Sequence, residues 1–205
     1  MIEHIHWLGH ASVRLDFDKI IYVDPWKLGR SAPKADLILI THEHHDHFSA
    51  EDLARIQKPG TSFVTIPAVA AKIKGEVHAV KPGDTITIQG VHIQAVPAYN
   101  INKQFHLKTA GHVGFVVTTG GSRIYIAGDS DLTPEMKQVK ADVVMLPIGG
   151  KYTMTADEAA QAANAIRPTL AIPLHFGDII GSAADARRFS QLCQVPVRIL
   201  EPEKP

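Results

Sequence analysis

Thr41-His42-Glu43-His44-His45-Asp46-His47 decides how this chain is to be read. Four His and two carboxylates fill the six positions 42–47. Such a run is a poor core segment, because several titratable groups would leave water together. It follows Asp36-Leu37-Ile38-Leu39-Ile40, an apolar run with the length and composition of a buried strand. Imidazoles and carboxylates presented together at the end of such a strand are the donor set of a transition-metal site. The helical zinc motif H-E-x-x-H does not apply, since it needs His where the chain has Asp46.

The same grammar recurs twice. Asp129 follows the apolar run 123–127 after Gly128, and His175 follows Leu170-Ala171-Ile172-Pro173-Leu174. Taken singly, an Asp after Gly is a turn residue and a His after a strand is satisfied by backbone. Three polar clusters, each directly after an apolar strand, fit one scheme in which strand ends converge on a cation.

The pattern His-x-His-x-Asp-His, as His42, His44, Asp46 and His47, resembles the signature of the metallo-β-lactamase superfamily, and the resemblance runs over most of the chain. It implies a four-layer αβ/βα sandwich, one domain over residues 1–205, with the site at one edge of two facing sheets. It also implies a ligand scheme. His42 and His44 would bind a first metal with a further His from a middle loop. Asp46, His47 and His175 would bind a second, and Asp129 would join the two. Zn²⁺ is the first expectation for one or two ions, with Mn²⁺, Fe²⁺ or Ni²⁺ as alternatives. The middle-loop His is expected soon after Val96-Pro97, where this chain has Ala98-Tyr99-Asn100. The Asn100 amide oxygen is a poorer donor for such a metal than imidazole. His106, in the long segment 97–111 without a clear period, is the preferred substitute over His112; a one-metal site is the alternative. His45 should point away if its neighbours ligate.

Trp7-Leu8-Gly9-His10, the pair Asp24-Pro25 and Pro147-Ile148-Gly149-Gly150-Lys151-Tyr152-Thr153-Met154 resemble the branch containing ascorbate-phosphate lactonase and phospholipase-D-type phosphodiesterases. His10 is placed near the site mouth, Asp24 as a turn residue or as an acceptor for a ligand His N–H, and Lys151 and Tyr152 as contacts to an anionic substrate group or as ordinary loop residues. The expected activity is hydrolysis of an ester, lactone or phosphodiester by metal-bound hydroxide, with Asp46 orienting the nucleophile or accepting its proton. The competing expectation is a metal-binding or regulatory protein of the same fold without turnover.

Composition narrows the partners. The chain has 205 residues, 45% of them hydrophobic, and its 21 Lys+Arg balance its 21 Asp+Glu. That balance argues against nucleic acid and for a small-molecule substrate. A single cysteine, Cys193, excludes an intrachain disulfide and reads as a buried, inert thiol in a helix. No leader and no run near the roughly 20 apolar residues of a bilayer span is apparent, so cytoplasm is the expected location. The oligomeric state is left open.

Elsewhere the chain reads as short strands and helices. Residues 4–24 give three antiparallel strands, with His4 and His6 sharing one strand face. Ser49 caps a helix through residue 57. Residues 61–66 are a strand, 68–74 a short helix, 85–88 and 91–96 a hairpin, and 114–118 and 123–127 another. A capping box at Thr155 and Glu158 opens a helix to Ile166, and residues 197–200 close the domain as a strand.

Overall fold

The computed structural model describes residues 1–203. Two six-stranded sheets organise the chain. The first runs in spatial order β1 (Ile5–Gly9), β2 (Ser12–Asp16), β3 (Ile20–Val23), β4 (Leu37–Ile40), β5 (Ser62–Thr65) and β6 (Glu76–Ala79). The second holds β7 (Thr85–Ile88), β8 (Val91–Pro97), β9 (Val113–Thr119), β10 (Ser122–Ile126), β11 (Val143–Pro147) and β12 (Leu170–Leu174), again in chain order across the sheet.

Both sheets are mixed, and connection length explains it. Strands joined by short turns pair antiparallel, as β1–β2–β3, β7–β8 and β9–β10 do, and β8 and β9 pair antiparallel across the long loop 98–112. Strands joined by crossovers pair parallel, as β3–β4–β5–β6 and β10–β11–β12 do. Helices α1 (Ala50–Ile56) and α2 (Pro67–Ala70) serve the first sheet; α3 (Ala156–Ile166) and α4 (Ala183–Leu192) serve the second. The result is the αβ/βα sandwich expected from the sequence. Strands β4, β5 and β11 are buried at every position, as parallel strands covered on both faces are. Leu15, Ile38 and Phe63 from one sheet and Phe115, Tyr125 and Met145 from the other belong to one continuous hydrophobic core.

Helix starts follow the local chemistry. The Ser49 hydroxyl accepts from the Asp52 N–H at the head of α1. Thr155 and Glu158 form the full capping box of α3, whose Ala159, Ala163 and Ile166 are buried. Arg167 ends α3 in the left-handed region, and Pro168 follows.

Four sequence expectations change. Residues 197–200 form no strand; Val197 makes a single bridge to Ala171, and the chain then leaves the sheet. The second helix stops at Ala70 rather than at residue 74. His4 lies in a 3-10 turn (Ile2–His4) with Nδ1 on the Asp16 carbonyl, while His6 sits on β1 against Glu203, so the two share no strand face. Cys193 is the cap residue after α4 and only half buried. Its surroundings still push the thiol up to about 11. Alkylation of Cys193 at pH 8 should therefore run at least tenfold slower in the native protein than in urea (on the order of two pKa units less thiolate); equal rates would contradict this environment.

Gly114 is fixed by close approach. A β-carbon there would sit 2.4 Å from the Ala127 carbonyl oxygen, at the end of β10 just before Gly128-Asp129. Gly114→Ala should lower unfolding free energy by about 1–3 kcal/mol in urea titrations, and an unchanged midpoint would show that the strands give way freely.

Candidate metal centre

Apart from His106, which comes from the loop between β8 and β9, the residues of the candidate site follow strand ends. His42 to His47 follow β4, Asp129 follows β10, and His175 follows β12. The turn holding the first cluster is closed by the His44 carbonyl, which accepts from the His47 and Phe48 N–H groups. Gly128 adopts φ +64°, and its β-position meets the Val113 carbonyl oxygen at 3.0 Å, so Asp129 is delivered by a turn that has no room for a side chain.

Two donor groups form around Asp129. In the first, His44 Nδ1 lies 3.0 Å from both His42 Nε2 and His106 Nε2. In the second, His10, Asp46, His47 and His175 each place a donor atom within 4.8 Å of the others. Asp129 reaches both sides. Its Oδ1 is 3.3 Å from His47 Nε2, and its Oδ2 is 3.2 Å from His175 Nε2 and 3.3 Å from His106 Nε2.

The donor set fits a divalent ion on the evidence of its unsatisfied atoms. His47 Nε2, His175 Nε2 and Asp129 Oδ1 are buried without a hydrogen-bond partner, although they face one another. Buried polar groups are normally paired, and a cation at the centre of this group would satisfy these atoms together. Charge points the same way. Burial alone would push His47 down, but Asp129 and then Asp24 outweigh it and hold the ring well above its ordinary value. Burial would raise Asp129, yet His175 and His47 hold it well below the carboxylate range. Buried carboxylates at this spot demand positive charge. On the other side, burial pushes His42 well down, and pushes His106 down to about 4 against the pull of Asp129, so these imidazoles stay neutral with lone pairs free.

Asp24 supports the cluster from behind. It accepts from the Thr41 N–H at 2.8 Å, from the Thr41 hydroxyl at 2.7 Å and from His47 Nδ1 at 2.7 Å. Those bonds fix the His47 tautomer and aim Nε2 inward. His10 is buried rather than at a mouth. Its Nε2 meets Asp46 Oδ2 at 3.0 Å, and its carbonyl accepts the His175 N–H at 2.8 Å. Burial would raise Asp46, but the His10 contact and the charge of His47 hold it down.

The remaining expected residues separate. Asn100 braces the loop, donating from Nδ2 to the Phe105 and Tyr152 carbonyls at 3.0 and 2.7 Å. His106, not Asn100, brings its ring to His42 and His44, with its Nδ1 3.1 Å from the Tyr152 carbonyl. Tyr152 thus acts here through its backbone, while its ring stands edge-on to Phe105 at 5.1 Å. Lys151 is exposed, 5.1 Å from the Tyr152 ring centre. The His45 side chain points into solvent, 81% exposed. His112, set aside in the sequence, is buried with its ring stacked on His42 at 4.8 Å and Nε2 3.3 Å from Glu43. It stands directly before β9 (Val113–Thr119), a position that does not mark it as buried against His42.

A family model described as the beta-lactamase superfamily domain matches residues 4–175. The chain belongs to the metallo-β-lactamase superfamily. A UPF0173 metal-dependent hydrolase of Thermoplasma acidophilum is 35% identical over 220 aligned residues, spanning 98% of this chain and 96% of the relative. One from Methanopyrus kandleri is 34% identical over 97% of this chain and 96% of its own length. Among solved structures, a metal-dependent hydrolase from Parabacteroides distasonis superposes with TM-score 0.86 at 34% identity, covering 97% of this chain and 93% of that one. Igni18, a metallo hydrolase from Ignicoccus hospitalis, gives 0.80 at 25% identity over 98% and 95%. This places the chain within a superfamily group of metal-dependent hydrolases.

Asp24→Ala leaves the Thr41 N–H and the His47 N–H without their acceptor. Metal retention in a chelator competition should fall about 10- to 100-fold; retention equal to the unaltered protein would remove Asp24 from the site.

Proposed function

We propose that the chain hydrolyses an ester, lactone or phosphodiester at the His/Asp cluster, with two divalent ions, Zn²⁺ first among them. The observation that carries this is the convergence of His42, His44 and His106 on one side of Asp129, and of Asp46, His47 and His175 on the other. His106 supplies the third imidazole whose absence from the 98–100 position motivated the reading without turnover. Ions held there supply Lewis acidity, which brings hydroxide into reach at neutral pH and draws charge from the substrate oxygen.

The chain's own groups do the rest. Asp24 fixes the orientation of His47 through Nδ1, so that Nε2 is aimed at the cluster before substrate arrives. Asp46 is the catalytic carboxylate. Its Oδ2 is held by His10 and faces His47 and His175, where it orients the reacting water or takes its proton. Lys151 and Tyr152 stand beside the His106 loop as substrate contacts.

The test is metal analysis of the purified protein together with His42→Ala, His106→Ala and Asp129→Ala. Bis(4-nitrophenyl) phosphate and a simple lactone serve as substrates, with Zn²⁺ and Mn²⁺ added separately. The unaltered protein should carry up to two ions per chain. Each variant should lose at least one ion and about a hundredfold or more of turnover. Full metal content and unchanged hydrolysis in His42→Ala and Asp129→Ala would overturn the proposal. His106→Ala reads separately: retention of both ions would remove His106 from the first site.

A further inference from the structure

A cavity of about 560 Å³ lies on the His10 side of the cluster. Its walls are Trp7, Leu8, Trp26, Phe176, Ile199 and Leu200, and its floor includes His10. Trp7 stacks on Phe176 with ring centres 4.7 Å apart, and Trp26 stands edge-on to His10 at 5.3 Å. Lys27, Asp178, Ala183 and Glu201 are exposed and mark where it opens to solvent. A concave, mainly apolar cavity of this size with few polar groups is the usual form of a small-molecule site.

The cavity is built rather than incidental. The segment ending in Glu203 does not join a sheet; it is strapped across β1. The Glu203 N–H donates to the Trp7 carbonyl at 2.8 Å, and its carboxylate meets His6 and Arg14. That strap holds Ile199 and Leu200 as a wall. Opposite them, the Trp7 indole N–H donates to the His10 carbonyl at 2.9 Å, and the same carbonyl anchors His175. One residue therefore forms part of the cavity floor and touches the catalytic carboxylate Asp46. The His10 ring is buried at the inner end of the cavity and lies between it and Asp46.

The wall chemistry selects the occupant. A phosphate would need a free cation, and Lys27 is already engaged by Asp178 at 2.8 Å and lies over the Trp26 ring at 4.1 Å. Three aromatic rings and three aliphatic side chains favour an apolar group of matching size. We infer that this cavity receives the apolar part of the substrate, an aromatic ring or short acyl chain of a neutral ester or lactone, and sets its reacting carbonyl toward the Asp46 side. As a substrate pocket this rests on the hydrolase reading; as a binding pocket it does not.

Trp7 and Trp26 are the only two tryptophans in the chain and both line the cavity, so emission reports occupancy without turnover. The probe is 4-nitroanisole, which carries no hydrolysable ester, titrated into the metal-loaded protein with absorbance correction. Saturable quenching is expected. Ile199→Asp and Ala183→Phe, both at exposed positions, should each weaken it about fivefold or more while metal content stays at the unaltered level. In parallel, kcat/KM for 4-nitrophenyl hexanoate should exceed that for the acetate about tenfold, and this ratio should fall toward one in both variants. Linear quenching, or quenching unchanged in both variants, overturns the pocket. Saturable, variant-sensitive quenching without turnover of the esters, the lactone or the phosphodiester keeps the pocket and sinks the hydrolase reading. Ester turnover with no length preference and no saturable quenching does the reverse.

Discussion

Charge without water governs this structure. Asp24, Asp46 and Asp129 lie buried within one strand margin, among imidazoles that are buried with them. Carboxylates in such surroundings hold their charge only if something positive is close. The chain supplies part of that through hydrogen bonds: Thr41 and His47 to Asp24, and His10 to Asp46. It supplies none to Asp129 Oδ1 or to the inward nitrogens of His47 and His175. A divalent ion closes the account, which is why the metal centre and the local stability of this edge are one problem rather than two.

The rest of the architecture delivers those groups and holds them in strained backbone. His10, Asp24, His106 and His175 all adopt positive φ, between 47° and 59°. Each such residue costs on the order of 1–3 kcal/mol unless its surroundings over-determine it. Here they do. Each lies next to a strand end or, for His106, in a loop pinned by Asn100 to the Phe105 and Tyr152 carbonyls. The two-sheet core carries that strain: β4, β10 and β12 are locked by parallel neighbours, so their ends cannot relax without disturbing Ile40, Ile126 or Leu174.

The sequence announced some of this and hid the rest for physical reasons. His42, His44, Asp46 and His47 are contiguous, so one turn brings them together and spacing alone reveals them. Asp129 and His175 were legible because each ends an apolar strand. The strands and the capping box at Thr155 followed from local periodicity and local hydrogen bonding. His106 was only a preference, because nothing local says that a loop residue six positions past Asn100 turns inward. The role of Asn100 as a brace depends on the carbonyl of Tyr152, 52 positions away. His10 was misjudged in place for the same reason: its burial is set by neighbours distant in sequence. The expected strand at 197–200 failed because apolar alternation there serves a cavity wall instead of a sheet.

The two sides of the centre differ in kind. On the His106 side, His44 is partly exposed, His45 is open to solvent, and Phe105 and Leu107 stand on the loop surface. On the His10 side, the candidate donors His47 and His175 lie against the His10 ring, and that ring meets Trp26 edge-on. The His10 ring packs against His175 at 3.9 Å, tilted by 45°, and lies between the apolar cavity and the charged interior. A polar residue at such a boundary can face carboxylate with one edge and hydrocarbon with the other, which an aliphatic side chain cannot do. Specificity and catalysis can then be tuned on opposite faces of one histidine, without moving the strand ends that hold the ligands.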